Sequence, residues 1–299
     1  RRAAADRAVL ALVGPLNSGV AIPVSAALAP LHVPIVSSSA TANAFTDRGL
    51  KNVNRVVTRD DAQGPAAGRY IADTLKARKV YVLNDKTAYG EGLASEVERT
   101  LKSRGVTVVG SEGTEERNDF SSIITKIQAY APDVVYFGSV YDQAGVFIKQ
   151  LRAAGVGATV MGGDGWDSAE LRTIGGKATV GALYTATTPP VSQLPNGAKF
   201  DAAYRKAFKR APGGFAAFSY DAARVALEGM LAAAGRGGKA PSRTAVESAV
   251  RKANVKGLLS GDVRFDARGD RARAKLYVMK VGANLTPTVA RTLEVGSGR

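Results

Sequence analysis

Apolar runs of strand length alternate with amphipathic runs of helix length over most of this chain, the arrangement that stacked βα units around parallel sheets produce. The pattern predicts strands at Val9–Val13, Val33–Val36, Lys79–Leu83, Val106–Val109, Val134–Phe137 and Thr159–Met161. Between them it predicts helices at Val20–Leu31, Ala62–Ala77, Glu91–Ser103, Asp119–Ala129 and Asp142–Ala153. Asp60-Asp61 places negative charge at the positive end of the second of these helices. After about Pro189 the rhythm changes. Pro189-Pro190 and Leu194-Pro195-Asn196-Gly197 mark a loop, followed by helices near Ala198–Lys209 and Phe218–Ala234 and a glycine-rich break at Gly235–Gly238. Gly261–Asp266, a turn at Arg268-Gly269-Asp270, and Leu276–Val281 read as a closing hairpin.

The class is therefore α/β, and a length of 299 residues suits two lobes better than one small core. The chain opens on Ala3–Ala8, which reads as the tail of a helix leading straight into a buried-type strand. A parallel sheet implies an earlier strand for that helix to cross from, so an N-terminal βαβ segment is expected to be missing. No signal-type core precedes the first strand, and a secretion signal is expected to have been removed or left out. No apolar run approaches the roughly 20 residues that span a bilayer.

Composition is that of a globular protein, 45% hydrophobic and 22% charged, which makes the net charge of +15 the more notable. Clustered Lys and Arg would suggest nucleic acid. Here the basic residues are scattered at helix-surface spacing (Lys76, Arg78, Lys79; Arg205, Lys206, Lys209, Arg210) without interleaved stacking aromatics. No nucleic-acid partner is expected, and a solvated basic surface near anionic headgroups fits better. Zero cysteines exclude disulfides and thiolate chemistry. The single histidine, His32, has no partner for nucleophilic or zinc chemistry, and phosphate-loop, Gly-x-Ser-x-Gly and dinucleotide motifs are absent. Catalytic residues, metal sites and cofactors are not expected.

Ligands of open α/β sheets sit beyond the carboxyl ends of strands. The first two predicted strands end in Gly14–Gly19 and Ser37-Ser38-Ser39-Ala40-Thr41, hydroxyls beside helix-start amides, which is how a carboxylate or phosphate is held without a cationic side chain. Ser18 and Thr41 read equally as helix caps. Later strands end in Tyr89, Tyr141, Asp164 and Trp166. Asp164, between glycines, is either an ammonium partner or a turn residue. Tyr89 and Tyr141 offer ring faces or are core residues, and Trp166, in a glycine-rich loop, suits a pocket wall better than a core anchor.

These residues, taken in order and spacing, resemble the type I solute-binding proteins of branched-chain amino acid ABC transporters, the leucine/isoleucine/valine-binding family. The likeness is carried by Gly14–Ser18, Pro34–Thr41, Arg55 with Asp60–Gly64, Asp85-Lys86 with Tyr89–Gly92, Asp119-Phe120 and Pro132–Tyr136. Gly162–Gly165, Tyr220–Ala222, Gly261, Phe265-Asp266 and Gly269-Asp270 continue it. The resemblance implies two Rossmann-like lobes with parallel sheets joined by a three-segment hinge, lobe 1 being residues 1–58 and 189–260 and lobe 2 residues 59–188 and 261–299. It implies an extracytoplasmic binder, periplasmic or at the cell surface, that traps an aliphatic amino acid between closing lobes and delivers it to a permease. It further implies a monomer, with a membrane tie only through a lipid anchor outside this chain. Residue by residue, Ser18, Ser39, Ala40 and Thr41 match carboxylate-binding positions, Asp164 the acid that pairs with the ammonium, and Tyr89 and Tyr141 an aromatic wall, with Trp166 nearby. Asp164 is one methylene shorter than the Glu of leucine-type members. The same fold also serves ligand-sensing receptors and regulators that bind an amide or small carboxylate, the alternative reading.

Overall fold

The computed structural model describes residues 5–235, 240–272 and 274–295. Residues 3 and 4 of the predicted helix tail and 236–238 of the predicted glycine-rich break lie outside the described residues. Twelve strands are found among the described residues: β1 (Leu12–Val13), β2 (Ile35–Ser37), β3 (Val53–Arg55), β4 (Lys79–Asn84), β5 (Thr107–Gly113), β6 (Val134–Gly138), β7 (Thr159–Gly162), β8 (Leu183–Ala186), β9 (Asn254–Val255), β10 (Val263–Arg264), β11 (Ala274–Val281) and β12 (Pro287–Val295). They divide between two compact units. Unit 1 takes the described residues of 1–59 and 190–274, and unit 2 those of 60–189 and 275–298.

Unit 2 is built on a seven-stranded sheet of order β12-β11-β8-β7-β6-β4-β5. β8, β7, β6, β4 and β5 run parallel, and β11 joins β8 antiparallel. β4 and β6 are apolar along nearly their whole length because both faces are covered. Alternation at period two sends Tyr81, Leu83, Val135 and Phe137 into one core with Phe120, Ile124 and Phe147. Val80, Val82, Val134 and Tyr136 go into the opposite core with Leu93, Val97 and Leu101. Phe120, Phe137 and Phe147 meet edge to face, with centroids 5.1–6.2 Å apart. The chain steps outward from β4 to β5, then returns past β4 to β6, so strand order reverses between β4 and β6. The carboxyl ends of those two strands are where such a sheet places a ligand.

Unit 1 carries the parallel sheet β1-β2-β3 and the antiparallel pair β10-β9. The helix Ser18–Leu28 supplies Ala21 and Leu28 to a core with Val33, Ile35, Phe45 and Val53. The helices Ala216–Ala234 and Arg243–Arg251 supply Phe218, Val225, Val246 and Val250 to a second core with Val36 and Val56.

Two readings of the chain's later part are corrected. Gly261–Asp266 and Leu276–Val281 do not form one hairpin: Val263 pairs with Val255 in unit 1, whereas Tyr277 pairs with Ala186 in unit 2. A tight turn does occur, closed by a bridge between Phe265 and Arg271. The described residues of 261–274, assigned from sequence to the second lobe, accordingly belong to unit 1, where Val263 and Phe265 enter the core.

Close backbone approach seats the helix Ala88–Ser103 on β6. A Cβ added to Gly138 would lie 2.4 Å from the Gly90 carbonyl oxygen, and one on Gly90 would lie 2.3 Å from that of Gly138. Gly138→Ala is therefore expected to lower the stability of unit 2 by about 1–3 kcal/mol, as overpacking does. Urea unfolding reads this as a lower midpoint at an unchanged slope. An unchanged midpoint would show that the helix is free to move away.

Candidate functional site

In unit 2 the loop after β7 forms a 3-10 turn, Asp164–Trp166, which buries Asp164 to 2% exposure. Asp164 Oδ1 accepts from the Tyr89 hydroxyl at 2.8 Å and from Gln63 Nε2 at 3.1 Å. The Tyr89 oxygen in turn accepts from the Gly165 amide at 2.8 Å. Gln63 Oε1 accepts from the Asp164 amide at 3.1 Å and the Thr185 hydroxyl at 2.6 Å, and Nε2 also reaches Asp60 Oδ1 at 3.2 Å. Asp164 Oδ2 has no hydrogen bond among the described residues. Burial pushes the Asp164 carboxyl up to about 6, against the pull of the Tyr89 and Gln63 donors. The Tyr89 hydroxyl is held well above its usual range by burial and by the neighbouring Asp164 charge, so it acts as a neutral donor. Burial, joined by the Asp60 and Asp164 charges, raises Tyr136, whose buried hydroxyl has no partner among the described residues.

In unit 1 the serines stitch two loops together. Ser37 Oγ donates to the Pro15 carbonyl at 3.2 Å and accepts from the amides of Ser39 and Ala40 at 3.3 and 3.0 Å. Ser39 Oγ donates to the Leu16 carbonyl at 2.7 Å, and Ser38 Oγ accepts from Ser219 at 3.1 Å. Ser18 Oγ accepts from the Ala42 amide at 3.2 Å, which leaves its proton for another acceptor. Thr41 is fully buried, and its Oγ1 has no partner among the described residues. A buried, unpaired hydroxyl costs free energy, and such costs concentrate where a ligand completes the set.

The carbonyls on either side of Thr41 are fixed by one side chain. Arg55, with no exposure, donates from Nη1 to the carbonyls of Ala40 and Ala42, both at 2.9 Å, and from Nε to Asp270 Oδ1 at 2.6 Å. Arg59 Nη1 reaches Asp270 Oδ2 at 3.0 Å and Asp47 Oδ1 at 2.9 Å. Thr46 Oγ1 joins the same cluster. Burial alone would raise the Asp270 carboxyl, but the Arg55 and Arg59 charges outweigh it and hold it below the usual carboxylate range.

Several sequence expectations change here. Ser18 and Thr41 cap no helix: Asn17 and Asn43 occupy those positions, and Ser18 is already the first helical residue. The Ser39 and Ala40 amides already donate to Ser37. Trp166 is a core anchor rather than a pocket wall. It has no exposed surface, its indole N–H donates to Ser139 Oγ at 3.1 Å, and its ring occupies the space that a side chain on Gly162 would fill, 2.2 Å from that position. Tyr89 joins Asp164, while Tyr141 is half-buried at the first position of the helix Tyr141–Ala153. His32 pairs through Nδ1 with Glu247 Oε2 at 2.9 Å, away from both clusters. Sequence reasoning gave Gln63 and Thr185 no role. The available signal was a glutamine on the same helical face as Ala66 and Ala67.

No group of three or more metal-ligating side chains and no helix long and apolar enough to cross a membrane occurs among the described residues. The family model described as "Periplasmic binding protein" matches residues 1–285. The chain belongs to the periplasmic binding protein family. The Leu/Ile/Val-binding protein BraC3 of Rhizobium johnstonii is 37% identical over 260 residues, covering 87% of this chain and 69% of that protein. The solved structure of the leucine-binding protein LivK from Thermotoga maritima superposes with a TM-score of 0.88 at 27% identity, covering 98% of this chain and 82% of that one. An ABC-transporter solute-binding protein from R. palustris, solved with benzoate, shares the fold with a TM-score of 0.85 at 20% identity, covering 96% and 79%. This is a family of solute binders, not enzymes, and its α/β type I fold with parallel sheets is the one expected from sequence.

The buried acids predict a pH profile. Asp164 and Asp167, both raised to about 6 by burial, bind protons more readily folded than unfolded, and Asp85 shifts the same way. Unit 2 should therefore gain stability as pH falls from 7 towards 5, on the order of 1 kcal/mol for each of the first two groups. Asp270 has the opposite sign: its contribution to unit 1 is present above the ordinary carboxylate range and is lost as pH falls below it. Urea midpoints across pH 4–8, compared with those of Asp164→Asn, check this, the variant losing part of the rise between 7 and 5.

Proposed function

We propose that this protein is the extracytoplasmic solute-binding component of an ABC importer and that it takes up a branched-chain or closely related amino acid for delivery to a permease. The observation that carries this reading is Asp164, a buried carboxylate whose neighbours among the described residues are neutral donors on one oxygen and nothing on the other. A carboxylate buried without a cation is expensive, and a ligand ammonium offsets that cost. Thr41 and the Ser18 proton are hydroxyl donors of the kind that a carboxylate accepts from. Relatives named for leucine, isoleucine and valine support the same class. The benzoate-bound relative raises the aromatic acids as competitors. An acid with no cationic group has nothing to pair with Asp164, and above pH 6 the two charges repel, so amino acids are favoured.

Thermal unfolding with a panel of amino acids and small carboxylates tests this. A matched ligand at about 100 times its dissociation constant adds about 2.7 kcal/mol of stability. Leucine, isoleucine or valine is expected to raise the melt, and Asp164→Ala to weaken that ligand by about 1.5–3 kcal/mol, the worth of a hydrogen bond to a charged group. A melt raised by benzoate alone, or an Asp164→Ala protein of unaltered affinity, would overturn the assignment.

A further inference from the structure

Gln63 lies in the helix Asp60–Arg69, whose first residues enter unit 2 directly after the chain leaves unit 1. It is fully buried and uses both ends of its amide. The orientation of that amide is fixed by its partners. Oε1 receives the Thr185 hydroxyl and the Asp164 N–H, and Nε2 gives to the carboxylates of Asp164 and Asp60. Flipping it would set the NH2 against a backbone N–H and the oxygen against two carboxylate oxygens. The amide thus grips Asp164 at two points, backbone nitrogen and Oδ1, while Tyr89 takes a second position on Oδ1 and the Gly165 amide. Among the described residues, every hydrogen bond to the carboxylate falls on Oδ1.

We propose that Gln63 is the positioning residue for the solute's cationic group: it clamps Asp164 so that Oδ2 is the oxygen left to receive that group, and Thr185 holds the clamp in place. This rests on the reading of Asp164 as the ammonium acceptor. A shorter acid has less reach and fewer rotamers, so its direction depends on the groups that hold its base. Gln63 also feeds a donor to the charged form of Asp164. The other titratable groups facing the site are Tyr89 and Tyr136, which stay neutral, and Asp60 and Asp167, whose negative charges disfavour ionisation of their neighbours. Removing Gln63 is expected both to loosen Asp164 and to favour its protonated form.

The test compares L-leucine with 4-methylpentanoate, the same molecule without its amino group, by calorimetry on the unaltered protein and on Gln63→Met, Thr185→Val and Asp164→Asn. The expected result at pH 7.5 is that Gln63→Met cuts the preference for leucine about tenfold, with the deaminated acid changed less than about twofold, corresponding to about 1.4 kcal/mol in the amino group alone. Thr185→Val should do the same to a smaller extent. Lowering the pH to 5.5 should weaken the preference several-fold in the unaltered protein and at least as much in Gln63→Met, whose Asp164 takes up a proton more readily. If both ligands weaken equally in Gln63→Met, or the preference is unchanged in a Gln63→Met protein whose melt shows it folded, the clamp is refuted. A Gln63→Met chain that does not fold passes the decision to Thr185→Val, where an unchanged preference refutes it too. If instead Asp164→Asn keeps the full preference, or the unaltered protein binds no leucine, the reading of Asp164 fails and the clamp with it.

Discussion

A single buried guanidinium organises unit 1. Arg55 can be fully desolvated only because each face of its fork meets an oxygen: Asp270 on one side, the carbonyls of Ala40 and Ala42 on another, Thr46 on the third. Those partners come from three stretches of chain, the last more than two hundred residues away in sequence. The hydroxyl loop after β2, the short helix Ala44–Asp47 and the turn at Asp270 are thus tied to one charge. The net worth of such an ion pair is small against an apolar alternative, but losing one partner strands the other charge, which costs about 3–5 kcal/mol. Its importance lies in geometry: it fixes the backbone on both sides of Thr41.

Two of the buried acids make a revealing pair. Asp270 has its counter-ions in the fold and sits below its usual range; Asp164 has only neutral donors and sits above it. Structural carboxylates are satisfied by the protein that contains them. One left short of a cation, with hydroxyls and an amide arranged to direct it, is what the proposed capture of an ammonium asks for. The same reasoning separates the serines of the Ser37–Ser39 run, which are spent on the loops, from Thr41, which is not.

Much of this was legible in the chain. Period-two alternation and short apolar runs gave β4, β6 and β7 to within a residue or two, because buried parallel strands need β-branched and aromatic side chains on both faces. β3, at Val53–Arg55, was unreadable, since a strand carrying a buried Asn and Arg breaks the hydrophobic pattern for reasons that lie elsewhere in the fold. Asp164 was visible as an acid between glycines. That Trp166 would be core was not, because the room for its ring comes from Gly162, four residues back, and only the chain path shows the two meeting. Gln63 was quoted in a motif yet had no reading, as its role depends on partners up to 122 residues away.

The chain passes from one unit to the other after residues 59, 189 and 274, so neither unit is continuous in sequence. During synthesis, β1 to β3 emerge with Arg55 but without Asp270, and β4 to β8 emerge without β11. The Asp270 contact of Arg55 waits for more than two hundred further residues, and the edge of β8 waits for about ninety until β11 follows. Asp270 and then β11 and β12 come late in the chain and finish the two units. A nascent chain of this design carries two unfinished halves at once, each with an uncovered edge open to chaperones.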